Sequence, residues 1–552
     1  MTSAQLESSA THSRWQERVA VFAMITLTAL AMGRLCINEF IMWDDPSTVH
    51  QNPWLQPPTL QTIIHYWTTP TGGLYIPITY TAWATIALFA QVPRDEYGVA
   101  LNPWLFHSAN VLCHLLALLV AYRILRLLNA DLFAAFCGAL LFGVHPVQVE
   151  AVAWVSGLKD VLSGLLALVA LWQYVLFSLA DIRGRPSLTR YILAIAAFLL
   201  AMLAKPSAMA LPLAALAIDH WILQRSWRRA LPAAIVWLAI ALPIALLARH
   251  VQDASNTPMP ALYLRPLIVC DSLAFYLEKL IWPVPLIFDY SRTPAKVLAN
   301  GWCYWDWIFP VSLAIFLIAG ARRRPILLAA GVIFLAGCLP VLGFTPAMFQ
   351  YLSTTADHYL YLSMFGPALA LAWLLSNYPT AVPRIFTCGV LALLIALTIR
   401  QGGYWKDDFT FFSHDTEVNP DSYTGFINLG GTYQRQHNLP AAIAAFRRAV
   451  AINPQYPLAV GDLASALNDA GQFDEAILYA WQAVELQTEH PNLRPNWPQD
   501  NELLGELLVQ KGRFAQAIPY LQTAAGLEPD NQHLAKELIE AKNHAATQPA
   551  DK

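Results

Sequence analysis

Residues 19–55 read VAVFAMITLTALAMGRLCINEFIMWDDPSTVHQNPWL. An apolar run ends in two adjacent carboxylates, Asp44 and Asp45, followed at once by Pro46. A spanning helix needs roughly 20 mainly apolar residues, and residues 19–39 supply them, with Arg34 near the far end. Like charges just beyond such a helix either cap the next turn, since Asp suits an N-cap and Pro the first helical position, or face a polar substrate. The eighteen polar residues ahead of the run, and the lack of a small-residue cleavage site behind it, predict a retained signal anchor.

The remainder of the chain divides by composition. With 56% hydrophobic and 13% charged residues and a mean hydropathy of +0.42, it is too apolar for an ordinary soluble protein. The excess lies before residue 404; beyond it the sequence is of soluble type. Spans are expected near 19–39, 106–128, 132–149, 159–179, 190–204, 207–223, 230–248, 307–321, 325–343, 360–376 and 383–399, about eleven in all. The seven cysteines have no CxxC or metal-ligand spacing and read as small buried hydrophobes. A net charge of −3 and no basic arm exclude nucleic acid as an expected partner.

Orientation follows from Lys and Arg in short loops. With the N-terminus cytoplasmic, one side collects Arg14 and Arg18, Arg123 and Arg126, Arg183, Arg185 and Arg190, Arg225, Arg228 and Arg229, Arg322 to Arg324, and Arg384. Two further apolar stretches, 76–90 and 267–288, read as interfacial or re-entrant segments, because counting either alone breaks this alternation. Asp271, Glu278 and Lys279 in the second would also be costly in hydrocarbon. The first outer loop is then 40–105 and a later one 249–306. Asp44 and Asp45, HPVQVE at 145–150, Lys159 and Asp160, AKPS at 204–207 and ADHYLYL at 356–362 all reach the same non-cytoplasmic level.

After the last span a period of 34 appears. Phe426, Leu429, Gly430, Tyr433, Ala442, Phe446, Ala449 and Pro454 fall at offsets that resemble the tetratricopeptide repeat (TPR). Leu463, Ala464, Leu467, Ala476, Ala480 and Ala483 repeat the pattern, and after a seven-residue insertion so do Leu504, Gly505, Leu508, Ala517, Leu521, Ala524 and Pro529. YWKDDFTFFSHDTEVNP before Pro420 reads as the closing helix of a partial repeat. Such a stack is structural in itself; its concave surface suits a peptide or protein partner.

Motif order carries a wider resemblance. WDDPSTVHQNPWLQ, YIPITY, NPWLFHSANVLCHLL, HPVQVEAVAWVSGLKDVLSGLLALVAL, AKPSAMALPLAALAIDHW, FYLEKLIWPVPLIFDY, ADHYLYLSMFGPALALAW and YWKDD precede the repeats. Together they resemble the bacterial relatives of the TPR-containing transmembrane O-mannosyltransferases of the type C glycosyltransferase superfamily. Departures are the PRDEYGVALNP insertion and SMFGP after YLYL. The resemblance implies an all-α protein, a polytopic helical membrane domain followed by a TPR solenoid. It implies a transferase that takes a sugar from a polyprenyl-phosphate carrier to an acceptor hydroxyl on the outer face, with Asp44 and Asp45 at the acceptor. The expected domains are a cytoplasmic tail 1–18, a membrane domain 19–403, a periplasmic repeat domain 404–545 and a tail 546–552, in a bacterial inner membrane. Expected partners are membrane lipid, the lipid-linked sugar donor and a protein or peptide acceptor in the TPR groove.

The chemistry supports the acidic pair independently, because an alcohol is a weak nucleophile and needs a base for its proton. A neighbouring carboxylate orients that base or raises its pKa by repulsion. Four further segments supply binding candidates. Glu150 either lines the site or pairs with Lys159; Lys159 pairs with Asp160 or meets the carrier phosphate; Lys205, with no acid near it in sequence, is a phosphate contact. Asp357 and His358 either act on substrate or mark a helix start, with Tyr359 and Tyr361 at the lipid boundary. His145 reads as a local cap, and His107, Asn110 and His114 as a hydrogen-bonded stripe on one helical face. A divalent metal would need further oxygen ligands, and Asp44, Asp45 and Glu150 are the obvious suppliers. The reading of a different class is a membrane-anchored TPR scaffold for envelope assembly with an inactive transferase domain.

Overall fold

The computed structural model describes residues 3–95, 98–128, 130–252, 260–344, 348–489 and 497–547; among these the regular elements are helical, apart from two isolated bridges. The chain forms two compact units, Met1–Phe411 and Phe412–Lys552.

In the first unit six helices are long and apolar enough to cross a membrane: Arg14–Ile37, Pro103–Leu127, Val155–Ile182, Trp227–Val251, Cys303–Gly320 and Ala381–Tyr404. Leu132–Val144 and Pro146–Ala153 make a seventh if taken as one span bent by 49°. The bend has a local cause. His145 precedes a proline and is extended (φ −72°, ψ 133°), since the ring of Pro146 disfavours a helical residue before it. Its imidazole caps the new turn, accepting from the Val147 N–H at 3.4 Å.

The sequence pattern suggested more spans than these. Leu188–Ala204, Pro325–Val341 and Phe365–Asn377 are shorter apolar helices, as is Pro77–Ala90. The stretch expected to span 207–223 is broken into a 3-10 turn, Pro206–Ala210, a short α-helix, Leu211–Ala217, and a π turn, Ile218–Ile222. Asp219 in that turn is fully buried and takes the Tyr174 hydroxyl at 2.9 Å and Arg225 Nη1 at 2.6 Å. A buried carboxylate is retained only where it is paired in this way. Of the polar residues at 267–288, Asp271 is buried against Arg292 Nη2 at 2.5 Å, and Lys279 pairs with Glu278 at 3.1 Å.

The helices carrying the motifs pack closely because small residues face large ones. Gly164 lies under the Tyr361 ring, where a Cβ would come within 2.4 Å of Cε1. Tyr361 is buried rather than at the lipid boundary; its hydroxyl meets His114 Nδ1 at 3.0 Å, and His114 Nε2 lies 2.9 Å from the Gly143 carbonyl. Asn110 donates to the Trp154 carbonyl at 2.6 Å, and His107 Nε2 lies 3.0 Å from that of Glu39. The polar stripe on Pro103–Leu127 thus fastens the loops that carry the acidic residues.

The second unit is a stack of antiparallel helix pairs: Tyr423–Arg435 with Leu439–Ile452, Pro457–Asp469 with Phe473–Glu489, Trp497–Gln510 with Phe514–Leu527, and a closing helix Gln532–Thr547. Residues 490–496, where the insertion falls, lie outside the described residues. Ala442, Ala476 and Ala517, at equivalent offsets, are fully buried in one core. A Cβ at Gly430 would stand 2.7 Å from the Phe446 ring, and one at Gly505 2.6 Å from Leu521, so the small residues set how near paired helices approach.

Candidate active site

The loop after the first long helix is pinned just ahead of its acidic pair. Met42 N–H donates to Asp408 Oδ1 at 2.8 Å, and Glu39 N–H to the Lys406 carbonyl at 3.0 Å. Asp45 is fully buried; Oδ1 accepts from Ser156 N–H at 3.0 Å and Oγ at 2.6 Å, and Oδ2 from the Ile41 N–H at 3.1 Å. Burial pushes its carboxyl up to about 7 despite those hydrogen bonds. The cap reading of Asp-Asp-Pro therefore fails for both carboxylates. Asp45 precedes the turn Pro46–His50 without a side-chain cap, and at Asp44 it is the main-chain carbonyl that accepts from Thr48, at 2.7 Å from Oγ1.

Asp44 is the accessible member, with 44% of its side chain exposed, and Lys159 Nζ stands 3.7 Å from its Oδ2. That ammonium also lies over the Trp154 ring, 4.4 Å from its centroid. Lys159 is thus held by Asp44, not by Asp160. Asp160 instead pairs with Lys205 at 2.5 Å, so Lys205 does have an acid, 45 residues away in sequence. Burial lowers the Lys205 pKa, and the Asp160 charge works against that.

Glu150 pairs with His358 rather than Lys159. Its Oε1 lies 2.7 Å from His358 Nδ1 and its Oε2 accepts the His358 N–H at 3.1 Å, both side chains being buried. Asp357 does not cap its helix either; it is buried and accepts from the Tyr290 hydroxyl at 2.9 Å. Burial, with the Glu150 charge behind it, raises the Asp357 pKa well above the carboxylate range. Ser156, Trp154 and Tyr290 were not singled out from the sequence. All three sit inside the quoted motifs, but a partner fixed by tertiary contact leaves no spacing signal.

Three cavities adjoin these pairs. A small cleft of about 30 Å³ is lined by Asp160, Ser163, Lys205, Ser207, His358 and Tyr359 among others. Through Ser207, Gly337 and Leu362 it shares its wall with a smaller apolar cleft, about 10 Å³, lined by Leu171, Leu211, Ile333 and Phe365. Through His358 it shares its wall with a third pocket, also about 10 Å³, lined by Ile41, Trp43, Glu150 and Trp154 among others. Asp160 Oδ2 is buried without a hydrogen-bond partner among the described residues. Trp43 of the acidic loop, Glu150, Asp160, Lys205 and His358 thus line neighbouring pockets, while Asp44 and Asp45 line none of the three. Asp44, Asp45 and Glu150 do not form a metal-ligand set, each being committed to a different partner; the group among the described residues that could hold an ion is Glu506, His533 and Glu537, in the repeat unit.

These features define a membrane protein with a C-terminal helical repeat unit. Tetratricopeptide-repeat models match residues 433–485 and 501–531. Over much of its length the chain is similar to proteins named as protein O-mannosyl-transferases. It is 24% identical over 76% of its length to "Protein O-mannosyl-transferase F38B6.6" of Caenorhabditis elegans and 24% identical over 93% to "Protein O-mannosyl-transferase Tmtc3" of Drosophila melanogaster. It spans 61% of the length of each of these. Among solved structures, the apo oligosaccharyltransferase of Archaeoglobus fulgidus matches with a TM-score of 0.40 and 14% identity, over 74% of this chain and 59% of that one.

Proposed function

We propose that this chain is a membrane glycosyltransferase that moves a hexose, mannose or another, from a polyprenyl-phosphate carrier to a hydroxyl of a protein acceptor on the non-cytoplasmic side. The observation that carries this reading is a cleft bearing Lys205 that shares Ser207, Gly337 and Leu362 with an apolar one. A lysine-bearing cleft set against an apolar one suits a ligand with a phosphate head and an isoprenoid tail. Lys205, and Lys159 beside it, supply positive charge for the phosphate. The names of the relatives support a protein acceptor.

Asp44 is the base in this reading. Its carboxylate is reachable, whereas Asp45 is spent on holding the loop to Ser156. The acceptor hydroxyl gives its proton to Asp44, its oxygen bonds to C1 of the sugar, and the C1–O bond to phosphate breaks, the electron pair leaving with the polyprenyl phosphate. Asp45, Glu150 and Asp357 position the walls around this step. The repeat unit presents the acceptor. The test is transfer of labelled hexose from the lipid-linked donor to envelope protein by the purified full chain. Label appearing in protein with wild type and not with Asp44→Asn supports the reading; no transfer from any lipid-linked hexose sinks it.

A further inference from the structure

The loop that presents Asp44 is laid against the segment of chain around residues 405–411. Glu39 N–H donates to the Lys406 carbonyl at 3.0 Å and Met42 N–H to Asp408 Oδ1 at 2.8 Å. Trp43 packs on Phe288 with ring centroids 4.8 Å apart, Phe288 on Phe411 at 5.4 Å, and Trp405 on Phe411 at 4.4 Å. Here too two carboxylates are adjacent in the chain, and they differ in what they hold. Asp407 Oδ1 accepts the Thr410 N–H at 2.9 Å, in the first turn of the helix Asp408–Val418, and its Oδ2 meets Lys406 Nζ at 2.9 Å. Asp408 instead reaches back 366 residues in sequence, to the main chain of the acidic loop.

We propose that Asp408 is a positioning residue for the transfer step: by holding the Met42 N–H it fixes where the Asp44 carboxylate stands. Asp44 lies two residues after Met42 and one before Asp45, whose own carboxylate is bonded to Ser156 and to the Ile41 N–H. A main chain held at 42 and at 45 leaves only a short span that can swing, so the side-chain torsions of Asp44 carry its carboxylate into one region. The contact Asp44 makes with Lys159 does not do this by itself. At 3.7 Å, with 44% of the Asp44 side chain exposed, it lies beyond hydrogen-bonding distance and attracts the carboxylate without fixing its direction. Release of Met42 would free the loop just ahead of Asp44, and a misplacement of about 1 Å costs on the order of 10²-fold in rate. Asp408 touches no reacting atom and acts through Asp44, so the inference rests on the reading of Asp44 as the base.

The experiment is a double-mutant cycle of Asp408→Ala and Asp44→Asn in the full chain in lipid nanodiscs. It measures single-turnover transfer of labelled mannose or glucose from polyprenyl phosphate to envelope protein. Asp408→Ala is expected to lower the wild-type rate about 10²-fold, with the donor concentration for half-maximal rate unchanged. In the Asp44→Asn background the same change should cost less than about threefold, because no base is left to place. Asp408→Asn, whose amide oxygen still accepts from Met42, should return the rate to within about threefold of wild type. Equal losses in both backgrounds, no loss in wild type, or a loss through donor affinity would each overturn the inference and leave Asp44 as the base. Full transfer by Asp44→Asn, or none by wild type, removes the reading of Asp44 and this inference with it. Should Asp408→Ala not fold, Asp408→Glu, which displaces the acceptor oxygen by one methylene, takes its place in the cycle.

Discussion

Asp44 and Asp45 are neighbours in the chain with opposite environments. One is half exposed beside an ammonium; the other is enclosed and shares three hydrogen bonds with Ile41 and Ser156. Substituting each should separate chemistry from architecture. Asp44→Asn is expected to lower hexose transfer by roughly 10²–10⁴-fold with carrier binding kept, measured as single-turnover transfer beside equilibrium binding. Asp45 acts on stability. Its folded-state carboxyl is raised to about 7 against about 3.9 in an unfolded chain, so the folded loop binds the proton more tightly. The stability this contributes is complete below about pH 4 and is lost as the pH rises through about 7. Hydrogen exchange of peptides covering 40–55, corrected for intrinsic rates, should show more protection at pH 5 than at pH 8, and Asp45→Asn should level the two.

Among the elements, the repeats were the most legible, because a period of 34 with small residues at fixed offsets dictates which helices pair. Gly430 and Gly505, which occupy equivalent repeat offsets, both lie at close crossings, against Phe446 and Leu521. Gly505→Ala should cost about 1–3 kcal/mol through overpacking. Faster exchange confined to Trp497–Gln510 and Phe514–Leu527 would register it; unchanged exchange there would mean that Leu521 moves aside freely. Less legible were the elements of the membrane unit. Hydropathy locates apolar stretches but does not distinguish a full crossing from Leu188–Ala204, nor foresee that 207–223 breaks into three turns around the buried Asp219. The bend at His145 was half visible, since a residue before proline is a poor helix former, yet its angle comes from tertiary packing.

At the scale of the molecule, the sequence marked the segments that carry the buried and paired charges but not their pairing. Lys159 and Asp160 are adjacent, yet each takes a partner from another segment, Asp44 and Lys205; Glu150 reaches His358 across 208 residues. Proximity in sequence favoured the wrong pairs because adjacent residues on a helix point in different directions. Two units that are compact separately also allow a test of their separate tasks. A chain ending at residue 411 is expected to keep carrier affinity within about threefold, less than one kcal/mol, while modifying fewer envelope proteins, scored by glycoproteomics. Retention of the full acceptor range would remove the repeats from acceptor choice.

The Asp160–Lys205 pair makes the polar cleft a contested site rather than a vacant one. A carboxylate already occupies the lysine at 2.5 Å, so any incoming anion must displace an internal rival at very high effective concentration. Weakly held anions such as chloride should lose that contest, whereas a phosphate whose tail binds the neighbouring apolar cleft, as proposed above, should win it. Selectivity for lipid-borne phosphate would then come from the rival rather than from the lysine. Asp160→Asn should accordingly bind carrier more tightly and become more sensitive to inhibition by free phosphate and sulfate. An unchanged inhibition profile would assign Asp160 to packing alone.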